Sequence, residues 1–195
     1  MTLLLLLLAA YLIGAIPSGI ILTKLTGGED IRKLGSGNIG ATNVYRSAGR
    51  KLGIITLIGD CLKGIIPLLI AIQLFQYQGG ELALVGLAAF IGHCFPVYLA
   101  FKGGKGVATA LGVFLVISPQ SILCALALFA LILWRWRYIS LASISTAAAV
   151  PFLVLLFERS LAVFAVTLVI AGLVIWRHKA NIDRLLAGSE NKFNL

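Results

Sequence analysis

Long apolar runs separated by short polar stretches dominate the chain. A bilayer-spanning helix needs about 20 largely apolar residues. Five runs meet or approach that length: 3–23, 53–76, 81–101, 138–157 and 160–176. The run 107–134 is interrupted by Ser118-Pro119-Gln120. It reads either as one long kinked helix or as two short helices broken at Pro119, because proline has no N–H to continue the ladder.

The distribution of basic residues separates the two readings. With two short helices there are seven spans. One side then carries Lys24, Arg32, Lys33, Arg46, Arg50, Lys51, Lys63, Lys102, Lys105, Arg135, Arg137, Arg177, Lys179, Arg184 and Lys192, and the other only Arg159, which is 15 against 1 of the 16 Lys and Arg. With one long helix there are six spans and the split falls to 10 against 6 of the same 16. The expected fold is therefore all-α: one integral-membrane bundle over 1–195 with seven spans, helices four and five short, the N-terminus outside and the C-terminus cytoplasmic. Two under-length helices would tilt, thin the bilayer locally or be shielded by neighbours.

Composition agrees. The chain is 60% hydrophobic and 12% charged, whereas soluble domains are about 25% charged. Mean hydropathy is +1.03. The net charge of +9 is compatible with anionic lipid or phosphorylated metabolites. Nucleic acid is not an expected partner, since no soluble domain is visible to display a basic face. Cys61, Cys94 and Cys124 sit in apolar runs without a CxxC pair and read as small packed hydrophobes. The N-terminal run lacks a basic n-region and a clear cleavage site, so it reads as a retained span.

Three polar segments interrupt this pattern, all on the basic side. The first, GSGNIGATNVYR, places Gly35, Gly37 and Gly40 among Ser36, Asn38, Thr42 and Asn43, and ends at Arg46. Such glycines let backbone N–H groups converge on an anion, and a guanidinium fork suits phosphate. A plain turn explains two or three of these residues, not the whole run.

The second, FKGGKGVAT, surrounds Lys105 with Gly103, Gly104 and Gly106 ahead of a helix expected near Val107. It is not a Walker A loop: Leu99 stands where the first glycine would be, and Gly106 follows the lysine. Helix N-termini favour anions. Three glycines exceed what a flexible hairpin with interfacial lysines needs.

The third is the tail, RHKANIDRLLAGSENK. On one continuous helix Arg177, Asn181 and Arg184 share a face beside His178. His178 and Asp183 have an HxxxxD spacing, but five residues rotate them about 140° apart. A basic snorkelling belt accounts for Arg177 and Lys179 better than for Asn181.

Within the spans, Asp60 and Lys63 read as a structural ion pair near the cytoplasmic end. His93 reads as a packed, hydrogen-bonded histidine. Ser140 and Ser143 open the sixth span, where small polar residues pack helices or face a pocket. There is no HExxH and no GxSxG in the sequence, and no pair of carboxylates is recognisable as an acid–base or metal-binding set. No metal and no cofactor are expected. Chemistry would rest on positioning and electrostatic stabilisation.

The ordered set GSGNIGATNVYR, GHCFPVYLAFKGGKGVAT and RHKANIDRLLAGSE resembles the signature of the bacterial acyl-phosphate-dependent glycerol-3-phosphate acyltransferases. AYLIGAIPSG, GDCLKG and RYISLAS are similar to that family too, so the resemblance runs nearly the full chain. It implies a seven-helix inner-membrane enzyme with a cytoplasmic site. Such an enzyme would move a fatty acyl group from acyl phosphate to the sn-1 hydroxyl of sn-glycerol 3-phosphate, giving lysophosphatidate and phosphate. This is the first acylation of phospholipid biosynthesis.

By motif, the resemblance implies Ser36, Arg46, Lys105, His178 and Asn181 as the principal site residues. Asn38, Thr42, Asn43, Gly103, Gly104, Gly106, Ser143 and Glu190 are expected to support substrate binding. Asp183 lies outside the family pattern. The implied partners are the two substrates, the bilayer and a peripheral enzyme that makes acyl phosphate; the expected state is monomeric. A phosphometabolite transporter is the competing reading, but it would want broken helices and polar residues at mid-membrane. A membrane lipid phosphatase or phosphotransferase would want acidic metal clusters or a histidine nucleophile with partners.

Overall fold

The computed structural model of the chain describes residues 1–193. Its described residues form helices and turns, with no strands. The chain divides into two compact units, Met1–Val116 and a second beginning at Ile117.

The first unit contains α1 (Thr2–Gly14), α2 (Ser18–Leu25), α3 (Ala41–Ala48), α4 (Arg50–Phe75), α5 (Gly79–Cys94) and most of α6 (Val107–Ile117). The first apolar run is not one helix, contrary to expectation. It bends by 42° between α1 and α2. Pro17 is the cause: it lacks an N–H and disfavours helical geometry at Ile16.

Glycines set the close approaches of this unit. A Cβ on Gly14 would collide with the Ala89 backbone, and one on Gly92 with that of Tyr11, so α1 and α5 meet nearly backbone to backbone. Gly64 and Gly112 do the same for α4 and α6, against Thr109 and Cys61. Small residues play this part in membrane bundles because apolar side chains gain nothing by leaving lipid.

The expected long loop 24–52 is substantially folded. A 3-10 turn at Ile31–Lys33 and the whole of α3 lie within it. Ile20, Ile31, Ile39 and Val44 form a buried apolar cluster beneath it, against which Leu34, Leu52 and Leu99 pack. The third run also ends early: α5 stops at Cys94, just before Phe95-Pro96, and 95–106 folds back as a turn and loop.

In the second unit α7 (Pro119–Trp136), α8 (Ile139–Glu158) and α9 (Leu161–Arg177) pack in sequence, and the short α10 (Lys179–Leu186) leans on α8 and α9. The break at Ser118 is as expected, with Pro119 in the first turn of α7. Only one of the two flanking helices is short. α6 has 11 residues, about 16 Å at 1.5 Å per residue, while α7 has 18. Four helices are long and apolar enough to cross a membrane, or up to 6 if each bent pair is one span.

Candidate functional site

The first polar segment is organised by one buried side chain. Asn43, in α3, donates through Nδ2 toward the carbonyls of Asn38 (2.8 Å), Leu34 (3.1 Å) and Ile31 (3.2 Å). Its Oδ1 accepts the backbone N–H of Ser36 at 2.9 Å. Gly35, at φ +54°, lies so close to this amide that a Cβ would strike Asn43 Oδ1. Asn38 closes its own turn by accepting from the Gly40 N–H at 2.9 Å. The polar atoms of Asn43, a residue expected to support substrate binding, hold the loop, and Ser36 is presented at the surface. Thr42 is in the first turn of α3 and Arg46 in its last, exposed.

Asp30 closes the 3-10 turn of this segment. Its carboxylate pairs with Arg32 through Nε at 3.0 Å and accepts the Arg32 N–H at 3.0 Å. These hydrogen bonds hold the Asp30 carboxyl well below the usual carboxylate range and push Arg32 up.

The second segment lies against the end of α5, and that contact explains its glycines. The Gly104 N–H donates to the His93 carbonyl at 3.1 Å. A Cβ on Gly103 would strike the His93 carbonyl oxygen, one on Gly104 the His93 ring, and one on Gly106 the ring of Phe90. Gly106 also needs its φ of +80°, and its carbonyl takes the α6 hydrogen bond from Ala110 at 2.7 Å. Lys105 is half-buried between Gly104 and Gly106, immediately before α6. Ala100 and Phe101 precede this loop as consecutive non-glycine residues at positive φ, 49° and 63°, a strained pair of the sort that clusters at functional loops.

Beneath the loop is a buried charge cluster. Lys63 Nζ is 2.8 Å from Asp60 Oδ1, donates to the Ile16 carbonyl at 2.7 Å and meets His93 Nδ1 at 3.1 Å. The expected ion pair is formed, but not near a helix end. α4 has 26 residues starting at Arg50, so Lys63 sits at its middle. An ammonium has three hydrogens, and three acceptors surround this one. Thr109, in the first turn of α6, donates to the Asp60 carbonyl at 2.9 Å.

In the second unit the hub is Glu190, which is buried. Its Oε1 accepts from Ser140 Oγ and from Asn181 Nδ2, each at 2.7 Å. Its Oε2 accepts from Arg184 Nε at 2.6 Å. Burial raises the carboxyl pKa, but the bonds from Ser140, Asn181 and Arg184 outweigh it, and the group titrates below its ordinary value.

The tail is not one helix. It bends by 55° between α9 and α10, so Arg177 does not continue the face of Asn181 and Arg184; its guanidinium lies by the Trp176 ring, 5.9 Å from the centroid. His178 stands at the bend, buried, with Nδ1 2.7 Å from the Val174 carbonyl. A carbonyl only accepts, so the proton is on Nδ1. Asp183 is exposed on α10. Ser143 donates to the Ile139 carbonyl of its own helix at 2.8 Å.

Sequence reasoning singled out neither Arg184 as a partner of Glu190 nor the tie from Thr109 to Asp60. The second joins positions 49 apart and leaves no local pattern; the first spans six residues across the turn that ends α10, a spacing outside any helical i,i+4 pattern. Among the described residues, no three His, Cys, Asp or Glu side chains group as metal ligands.

The chain is similar to known proteins over nearly its whole length. A protein of Syntrophotalea carbinolica called glycerol-3-phosphate acyltransferase is 63% identical over 187 residues, covering 96% of this chain and 95% of its own. Its namesake from Geotalea daltonii is 58% identical over 188 residues, covering 96% of each. Among solved structures, the glycerol 3-phosphate form of PlsY (YgiH), an integral membrane glycerol 3-phosphate acyltransferase, superposes with a TM-score of 0.94 at 43% identity, covering 100% of this chain and 96% of that one. The lysophosphatidic acid form gives a TM-score of 0.92 at 42% identity, with the same coverage. A model of the family described as glycerol-3-phosphate acyltransferase matches residues 4–188, and the chain belongs to that family.

Proposed function

We propose that this chain transfers a fatty acyl group from acyl phosphate to the sn-1 hydroxyl of sn-glycerol 3-phosphate. The acceptor oxygen forms a bond to the acyl carbon, the bond from that carbon to the donor phosphate breaks, and lysophosphatidate and inorganic phosphate leave. The hydroxyl proton passes to the departing phosphate. Arg46 and Lys105 stabilise the charge that develops. Ser36, His178 and Asn181 contact substrate, and Thr42, Gly103, Gly104, Gly106 and Ser143 support its binding. Asn43 and Glu190 act by holding the segments that carry them.

The observation that carries this reading is the pair of glycine-rich segments in the first unit. Each runs into a helix N-terminus, and each carries a cation, Arg46 in the last turn of the short α3 and Lys105 directly ahead of α6. Helix N-termini and cations together suit phosphate. The glycerol 3-phosphate and lysophosphatidic acid forms of the solved relative support the acceptor and the product.

The reading includes seven spans: four long helices, two bent pairs and the short α6. Without Lys63, which is buried at mid-helix, the basic residues divide 14 against 1, which supports a cytoplasmic C-terminus and a cytoplasmic site in the inner membrane. The enzyme works as a monomer and receives acyl phosphate from a peripheral enzyme. The test is purified protein in detergent with palmitoyl phosphate and labelled glycerol 3-phosphate, scored for lysophosphatidate. Product is expected, and Lys105→Met abolishes it with expression near normal. No product, with acyl-CoA and acyl-carrier protein also tried, overturns the reading.

A further inference from the structure

The charge cluster beneath the second loop is not used by the reaction as written. Asp60, Lys63 and His93 are each nine-tenths or more buried, and charges at membrane depth are costly. A purely packing role would be filled more cheaply by apolar side chains of similar volume.

The geometry shows what the charges fix. Lys63 directs its three hydrogens to Asp60 on α4, His93 on α5 and the Ile16 carbonyl at the break between α1 and α2. An ammonium donates and does not accept, so His93 Nδ1 is the acceptor and the ring proton is on Nε2. This fixes both the orientation and the tautomer of the imidazole. The same ring lies where a Cβ of Gly104 would be, and the His93 carbonyl holds the Gly104 N–H. Downstream of Lys105, Thr109 is tied to the Asp60 carbonyl. The loop that carries Lys105 is therefore held on both sides by residues of one cluster.

We propose that Asp60, Lys63 and His93 form a positioning device for the glycine loop, with His93 the residue through which it sets the place of Lys105. The inference rests on the reading that Lys105 meets a substrate phosphate.

Two variants test it. His93→Asn keeps an oxygen near Nδ1 to accept from Lys63 and removes the ring from under Gly104. The double variant Asp60→Leu/Lys63→Met removes both charges without stranding either one. Three quantities are measured in detergent: deuterium uptake of the 102–107 peptide, KM for both substrates, and the thermal midpoint. In a variant whose midpoint stays near that of the wild type, uptake is expected to speed up tenfold or more. KM for at least one substrate should rise fivefold or more, which a smaller folded fraction cannot produce. Unchanged uptake, or faster uptake with unchanged KM, overturns the inference. Failure of both variants to fold assigns the cluster to stability alone and overturns it too. A wild-type protein that makes no lysophosphatidate sinks the proposed function; the exchange readout needs no turnover and tests the restraint of the loop separately.

Discussion

Arg184 donates through Nε to Glu190 Oε2 at 2.6 Å, and this bond joins α10 to the segment that follows it. Asn181 and Ser140 bond the other oxygen. The Glu190 carboxyl titrates below its ordinary 4.5, so the folded state holds the ionised form more tightly than the unfolded chain does. The stabilisation is fully present above about pH 4.5 and is lost as pH falls through the lower folded-state value. The thermal midpoint of the wild type should therefore fall on acidification below pH 4.5. Glu190→Gln should cost about 2–3 kcal/mol near neutrality, the scale of hydrogen bonds to a charged group, and should flatten that acid dependence. A midpoint that responds to acid equally in both proteins would remove Glu190 from this role.

Gly106 and Gly172 should respond in opposite directions to alanine. At Gly106 the φ of +80° is unfavourable for alanine, and the new Cβ meets the Phe90 ring, which is fully buried. We expect about 2–4 kcal/mol of destabilisation, from left-handed backbone and overpacking together, with activity lost. At Gly172, on α9, nothing lies within 4 Å of a new Cβ, so helix propensity decides and stability should rise by about 0.5–1 kcal/mol. Thermal unfolding in detergent compares the two directly.

Asn43 offers a sharper contrast, because its two ends have opposite demands. Asn43→Ala removes all four of its bonds and should cost about 2–4 kcal/mol. Asn43→Asp keeps the acceptor for Ser36 but turns a second oxygen toward the carbonyls of Ile31, Leu34 and Asn38. Oxygen facing oxygen in a buried site is worse than a void, so aspartate should be the less stable variant despite being nearly isosteric. If aspartate proves the milder of the two, the amide is not the clamp of this loop.

Much of the architecture was legible because proline acts locally. Pro119 marked the break between α6 and α7 from the sequence alone. Pro17 was equally visible, but the apolar run continues across it, and apolarity hid a bend. The glycine-rich segments stood out by composition, yet their glycines were read only as an anion cradle. Gly103, Gly104 and Gly106 also have a packing reason, the proximity of His93 and Phe90, which involves residues about ten positions or more away. Lys63 was placed too near a helix end for the same reason. Nothing local announces that Ile16, 47 residues away, will supply an acceptor at mid-helix. The Asn43 clamp is local, but a Gly/Ser/Asn run looks alike whether its amides face a ligand or their own backbone.

The destination of the hydroxyl proton sets the last prediction. His178 commits Nδ1–H to the Val174 carbonyl, so any contact between its ring and substrate runs through Nε2. If the donor phosphate takes the proton, His178 serves binding. His178→Ala should then raise KM for a phosphate-bearing substrate tenfold or more, about 1.4 kcal/mol per decade, and leave the shape of the kcat profile unchanged near pH 6.5, where an ordinary histidine titrates. If His178 is the base, the wild-type kcat profile follows one ionisation in that range. His178→Ala then abolishes kcat while fold and substrate binding stay intact. The pH dependence of kcat, measured with and without the imidazole, decides between the two.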